Sequence, residues 1–109
     1  MATAKHFAAY GAAIGGRDYN AVDISERTLH EVYLPPFKAA VDAGVATVMN
    51  AFNDINDVPA TASVMLQRDI LKRDWGFKGF VVTDYTAINE MTAHGLGDLQ
   101  TVSALALKA

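Results

Sequence analysis

Apolar runs and amphipathic stretches alternate three times along this chain. Residues 2–7 (ATAKHF), 45–52 (VATVMNAF) and 79–84 (GFVVTD) read as short strands, and each is followed by a segment with helical spacing. After the first comes a polar, glycine-rich loop, GAAIGGRDYNAVD. Then Leu29, Val32, Tyr33, Phe37, Ala40 and Val41 fall on one face of a 3.6-residue period. Asp23 with Glu26 three residues later has the spacing of a capping box, and Gly44 ends this helix. Pro35 and Pro36 predict a kink, or two shorter helices joined there. The second strand leads into a turn-rich loop, NDINDVPAT, and a helix over 62–75 capped by Thr61 or Ser63. That helix turns Leu66, Ile70 and Leu71 inward and leaves Arg68, Asp69, Lys72 and Arg73 as a solvated face. A helix over 86–94 follows the third strand, and a last amphipathic helix begins near Leu99.

Strands alternating with helices at this spacing predict an α/β fold of parallel βα units, whose strands are apolar because both faces are covered. GFVV is expected to be such a strand. A closed barrel of this kind needs eight strands and ~250 residues. With 109 residues, the three units make either a small open sheet or the middle of a larger domain such as a (β/α)8 TIM-type barrel, incomplete within this chain.

Composition narrows the function classes. The net charge of -3 and a pI near 5.4 offer no basic stripe for phosphates, so no nucleic-acid partner is expected. The chain has no cysteine, which excludes disulfides and thiolate metal sites. No apolar run reaches the ~20 residues of a membrane-spanning helix, and there is no signal-peptide pattern at residue 1. No nucleotide-binding glycine motif is present. His30 and His94 have no second ligand at a metal spacing, so no metal and no cofactor is expected.

In parallel α/β folds, ligands meet the carboxyl ends of the strands. Those ends here carry Lys5 and His6, then Asn50 and Asn53, then Asp84. Asp84 has two readings: a cap for the following helix, or a carboxylate held on a rigid strand end as nucleophile, base or metal ligand. Lys5 and His6 point to opposite faces of a regular strand, yet both can turn toward one pocket mouth where the strand ends. They are donors suited to hydroxyl groups of a polar ligand, or a surface lysine and a hydrogen-bonded histidine. Arg17 and Asp18 read as a surface pair.

The run ILKRDWGFKGFVVTDYTA, residues 70–87, resembles the active-site signature of glycoside hydrolase family 3. KHF at 5–7 resembles the lysine and histidine of that family's sugar site. VMNAFNDIND resembles the strand and loop before the signature helix, and GGRDYN is most similar to the bacterial periplasmic β-glucosidase branch. Together these cover essentially all of residues 1–109. The resemblance implies a part of the N-terminal catalytic barrel and release of terminal nonreducing β-D-glucosyl or related residues by a retaining mechanism. It assigns Asp84 as nucleophile, and Lys5 and His6 as ligands of the terminal sugar. Phe52 stands where many relatives carry tyrosine. Tyr85 stands where they often carry tryptophan or histidine, at the leaving-group side. The implied partners are a glucoside or oligosaccharide substrate and the remainder of the catalytic domain with the domain after it, and the implied location is periplasmic or secreted. The acid/base glutamate is expected outside this chain, Glu90 being more simply a solvent-facing residue. Two other expectations are a receiver-like phospho-aspartate module and an inactive segment that does not fold alone.

Overall fold

A computed structural model describes all residues, 1–109. Three strands, β1 (Thr3–Phe7), β2 (Thr47–Asn50) and β5 (Phe80–Val82), form one parallel sheet in the order β1-β2-β5. Sequence order and spatial order therefore coincide, as around a barrel. A receiver-type domain would put its first strand between the second and third; here β2 holds the middle, and that alternative is excluded. No helix is long and apolar enough to cross a membrane.

The register explains how the sheet ends. Thr3 pairs with Thr47 and Ala4 with Val48, but Phe7 pairs with Asn50. Three steps along β1 match two along β2, so one extra residue bulges out between Ala4 and Phe7, where Lys5 and His6 sit. Thr47, Val48 and Asn50 of the central strand are all buried. β5 differs from the expectation of a strand covered on both faces. It is an edge of this sheet, Phe80 is 57% exposed, and Val81 and Val82 are only half-buried. Continuous apolar sequence marks what a strand is built to bury, and only β2 has strand neighbours on both sides within these residues.

The helices follow the apolar periodicity with local differences. Ser25, and not the Asp23–Glu26 pair, caps the first helix: its hydroxyl accepts from the Thr28 amide at 3.0 Å ahead of α1 (Glu26–Thr28). A wide π-type turn over Leu29–Tyr33, with the Leu34 amide on the Leu29 carbonyl at 3.0 Å, leads into α2 (Pro35–Asp42). Pro35 and Pro36 supply no N–H, and a bend at Leu34 after the wide turn divides the segment into two shorter helices joined there. The 53–61 loop contains an unexpected antiparallel pair, β3 (Asp54–Ile55) and β4 (Val58–Pro59), closed by Asn56 and Asp57 in the left-handed region.

Ser63 opens α3 (Met65–Asp74), a helix with wide π-type turns, its hydroxyl accepting from the Leu66 amide at 3.3 Å. Leu66 and Leu71 are fully buried there, in one cluster with Phe7 and Val48 of the sheet. Phe7 meets Phe37 and Trp75 edge-on at 5.2 and 5.9 Å, tying β1 to both helices. Two residues of the expected solvated face do other work. Lys72 donates to the Gly79 carbonyl and sits 4.7 Å above the Phe77 ring, while Arg68 reaches the Lys108 and Leu107 carbonyls at 2.9 and 3.3 Å. Arg73 and Asp69 remain an exposed pair. The last helices are α4 (Ala87–Ala93) and α5 (Leu99–Lys108), the second capped by Asp98 on the Thr101 amide.

Gly79 admits the turn into β5 because it lacks a side chain. A Cβ there would collide with the Ala46 carbonyl oxygen and lie 2.6 Å from the Phe77 ring. Backbone on one side and a buried ring on the other leave no route for relaxation. Gly79→Ala is expected to destabilise the fold by about 3 kcal/mol, at the upper end of ordinary overpacking. Urea unfolding measures this, and an unchanged midpoint would refute the packing described.

Candidate active site

His6 and Asp84 come from the two outer strands, which β2 separates by about 10 Å at normal strand spacing. Beyond the end of β2 they meet: His6 Nε2 lies 3.2 Å from Asp84 Oδ2, with the two side chains 24% and 15% exposed. The β1 bulge carries His6 out of strand alternation, and Asn50, buried at the end of β2, accepts the Asp84 amide at 3.2 Å. Asp84 is thus held through its backbone by the central strand and faces the first strand with its carboxylate.

The helix-cap reading of Asp84 does not describe its contacts. Oδ1 accepts from the Tyr85 amide at 2.7 Å, but no amide of α4 bonds to the carboxylate. Thr86, left-handed at φ 53, precedes that helix instead. A carboxylate with one oxygen on a backbone N–H and the other beside an imidazole is fixed in orientation and still has lone pairs to offer. In chemical terms it can serve as nucleophile or base.

The other sequence-selected residues are placed unequally. Lys5 is exposed and shares with His6, Tyr10 and Tyr33 a groove of about 320 Å3. Phe52 is half-buried beneath the Tyr19 ring at a centroid distance of 4.7 Å. Tyr85 is 79% exposed and its ring has no aromatic partner. Asn53 is drawn away from the strand-end group. It is buried, its amide nitrogen donating to the Ala8 and Asp54 carbonyls at 3.3 Å, and it clasps the end of β1.

Three features were not legible as site features. Asp18 does not pair with Arg17 as expected; its Oδ1 accepts the Tyr10 hydroxyl at 2.6 Å. Tyr10 also covers the His6 imidazole, with ring centroids 4.8 Å apart. Gln67 is buried in α3, donating to the Ala60 carbonyl at 3.0 Å with its own oxygen unpartnered. It borders a cavity of about 520 Å3 between α3, β5 and α5, which Asp84 does not line. A tyrosine four residues after His6 and a polar residue on an apolar helix face are the signals these positions gave.

The bond to Asp18, partial burial, and the negative charges of Asp18 and Asp84 push the Tyr10 hydroxyl up to about 12. A phenol raised above its ordinary 10 holds its proton more tightly folded than unfolded. Its contribution to stability is therefore complete below pH 10 and lost as pH rises through 12. NMR titration of the Tyr10 ring should give a midpoint near 12, falling toward 10 in Asp18→Ala; a midpoint near 10 in the unaltered protein would refute the bond.

Comparison with known proteins identifies the family. The profile of the glycosyl hydrolase family 3 N terminal domain matches residues 1–109. The periplasmic beta-glucosidase of Salmonella typhimurium is 48% identical over 110 residues, covering 100% of this chain and 14% of that protein. A beta-xylosidase of Formosa agariphila is 45% identical over 112 residues, covering 100% of this chain and 16% of that protein. The crystal structure of beta-glucosidase from Listeria innocua in complex with glucose superposes with a TM-score of 0.94 at 39% identity, over 97% of this chain and 15% of that one. The chain spans about a seventh of the length of these relatives. Matched from its first residue to its last, and carrying an α/β fold of the TIM-barrel type, it belongs to glycosyl hydrolase family 3, within the N-terminal domain of that family.

Proposed function

We propose that this chain is the nucleophile-bearing part of a retaining β-glucosidase or β-xylosidase. The observation that carries the reading is Asp84: a partly buried carboxylate at a strand's carboxyl end, oriented by the Tyr85 amide and facing His6 at 3.2 Å. In the first step a carboxylate oxygen of Asp84 attacks the anomeric carbon, the bond to the leaving oxygen breaks, and that oxygen takes a proton from a general acid. In the second step water attacks the glycosyl ester, gives its proton to the same group, and frees the sugar and the Asp84 carboxylate.

The residues around Asp84 have parts in this scheme. Lys5 and His6 donate to hydroxyls of the terminal nonreducing sugar from the groove they share. Phe52, stacked with Tyr19, offers an aromatic edge, and Tyr85, fully open to solvent on one side, offers a ring face to the leaving group. Retention requires a second carboxyl group ~5 Å from the first. The side chain against Asp84 is an imidazole, which supports an acid/base glutamate supplied by polypeptide outside these residues. A periplasmic or secreted setting is proposed from the Salmonella relative.

Two measurements test this. In a catalytically complete polypeptide containing this chain, a 2-deoxy-2-fluoro-glucoside with a good leaving group should trap a covalent sugar on the Asp84 peptide, visible by mass spectrometry and absent from Asp84→Asn; an adduct on another carboxylate would sink the assignment. The 109-residue chain alone should hydrolyse aryl glucosides at least about 100-fold more slowly than the complete polypeptide, because general acid catalysis is missing. Comparable rates would show that the acid lies within it.

A further inference from the structure

His6 owes its place to a second layer of contacts. It sits on a bulge at a strand end, where the backbone alone does not fix the imidazole, and a ring rotation would carry Nε2 away from Asp84. One face of the imidazole is covered by Tyr10, centroid to centroid 4.8 Å with the planes tilted 37°. Packing alone would be satisfied by phenylalanine. Tyr10 instead extends its hydroxyl to Asp18 at 2.6 Å, in the length range of a charge-assisted bond.

Asp18 is in turn held by a loop with its own anchors. The Ile14 amide donates to the Ala21 carbonyl at 3.0 Å, and the Asn20 side chain closes onto the Ile14 carbonyl at 2.9 Å. Val22 then bonds β3 through the Asp54 carbonyl at 2.9 Å, and the Asn56 side chain grips Ile24 at both its amide and its carbonyl. None of these bonds passes through Tyr10. The loop therefore presents Asp18 independently, as a fixed acceptor toward which Tyr10 can be oriented.

We propose that Tyr10 is a positioning residue: its ring, tied through its hydroxyl to Asp18, keeps the His6 imidazole turned toward the Asp84 carboxylate. The inference rests on Asp84 being the nucleophile. Tyr10 acts through His6, whose ring it covers, and Asp18 acts through Tyr10. The line of contact runs from the β3–β4 hairpin through the glycine-rich loop to the carboxylate, linking a segment with no acid–base role to the alignment of the attacking oxygen.

The test uses the catalytically complete polypeptide and 2,4-dinitrophenyl β-D-glucoside, whose leaving group needs little acid assistance, so that kcat/KM reports nucleophilic attack. Tyr10→Phe keeps the ring and loses the tether, and should lower kcat/KM about tenfold, the effect of one hydrogen bond to a charged group. Tyr10→Leu should lower it about 100-fold, as expected for a reacting group displaced by an ångström or so. Asp18→Ala should match Tyr10→Phe, and the two together should cost no more than either. The discriminating measurement is Tyr10→Leu in a His6→Ala background, where the further loss should vanish; a merely structural role would leave it in full and overturn the proposal. If Tyr10→Leu fails to fold, Asp18→Ala, which changes only an exposed acceptor, decides alone: an unchanged rate overturns the proposal. Asp84→Asn separates the two levels. Activity surviving that change defeats the nucleophile reading, whereas activity lost there but untouched by Tyr10 and Asp18 variants defeats only the positioning role.

Discussion

The candidate site depends on four residues of central strand. Thr47–Asn50 hydrogen-bonds β1 on one side and β5 on the other, and no contact between the outer strands could replace it. Parallel strands stand about 5 Å apart, so groups on the outer two can meet only beyond the end of the middle one. β2 stops at Asn50, and the Asn50 side chain receives the Asp84 amide just past that point. Val48 is fully buried in the same apolar cluster as Phe7, Leu66 and Leu71, which anchors the central strand. Asp84 is thus referred to the hydrophobic core through the Asn50 side chain.

Much of this could be read along the chain. The three βα units, the helix faces, Gly79 at the entry to the third strand and the three polar strand ends follow from periodicity and turn chemistry. Asp84 as a chemically competent group followed from the long signature around it, because spacing alone left the helix cap open. The Asp23–Glu26 pair fits a capping pattern, yet Ser25 takes the role because its hydroxyl sits one residue from the first helical turn and reaches the Thr28 amide. The NDIND loop conceals a hairpin because two residues per strand give no alternation to detect.

What stayed hidden is long-range pairing. Asp18 beside Arg17 looks like a local ion pair, and Lys72 and Arg68 look like solvent-facing charges. Each finds a partner that only the fold brings near: a phenol, the Gly79 carbonyl, the end of α5. Lys72 shows the result in its own chemistry. Burial, together with the positive charges of Arg68 and Lys78, pulls its ammonium below the ordinary 10.5.

The bulge in β1 also sets the parity of the first strand. Upstream of it, Thr3 and Ala4 are in step with Thr47 and Val48; downstream, Phe7 is in step with Asn50, one residue later than regular pairing would put it. Removing one residue from the Lys5–His6 segment would restore an unbroken two-residue alternation, keep Phe7 in the core, and give a strand that satisfies every rule of sheet formation. The side chain beside Asp84 would then lie on the wrong face. A shorter, more regular strand would keep the architecture and lose the contact between His6 and Asp84, so the irregularity serves the placement of one side chain and not the packing of β1.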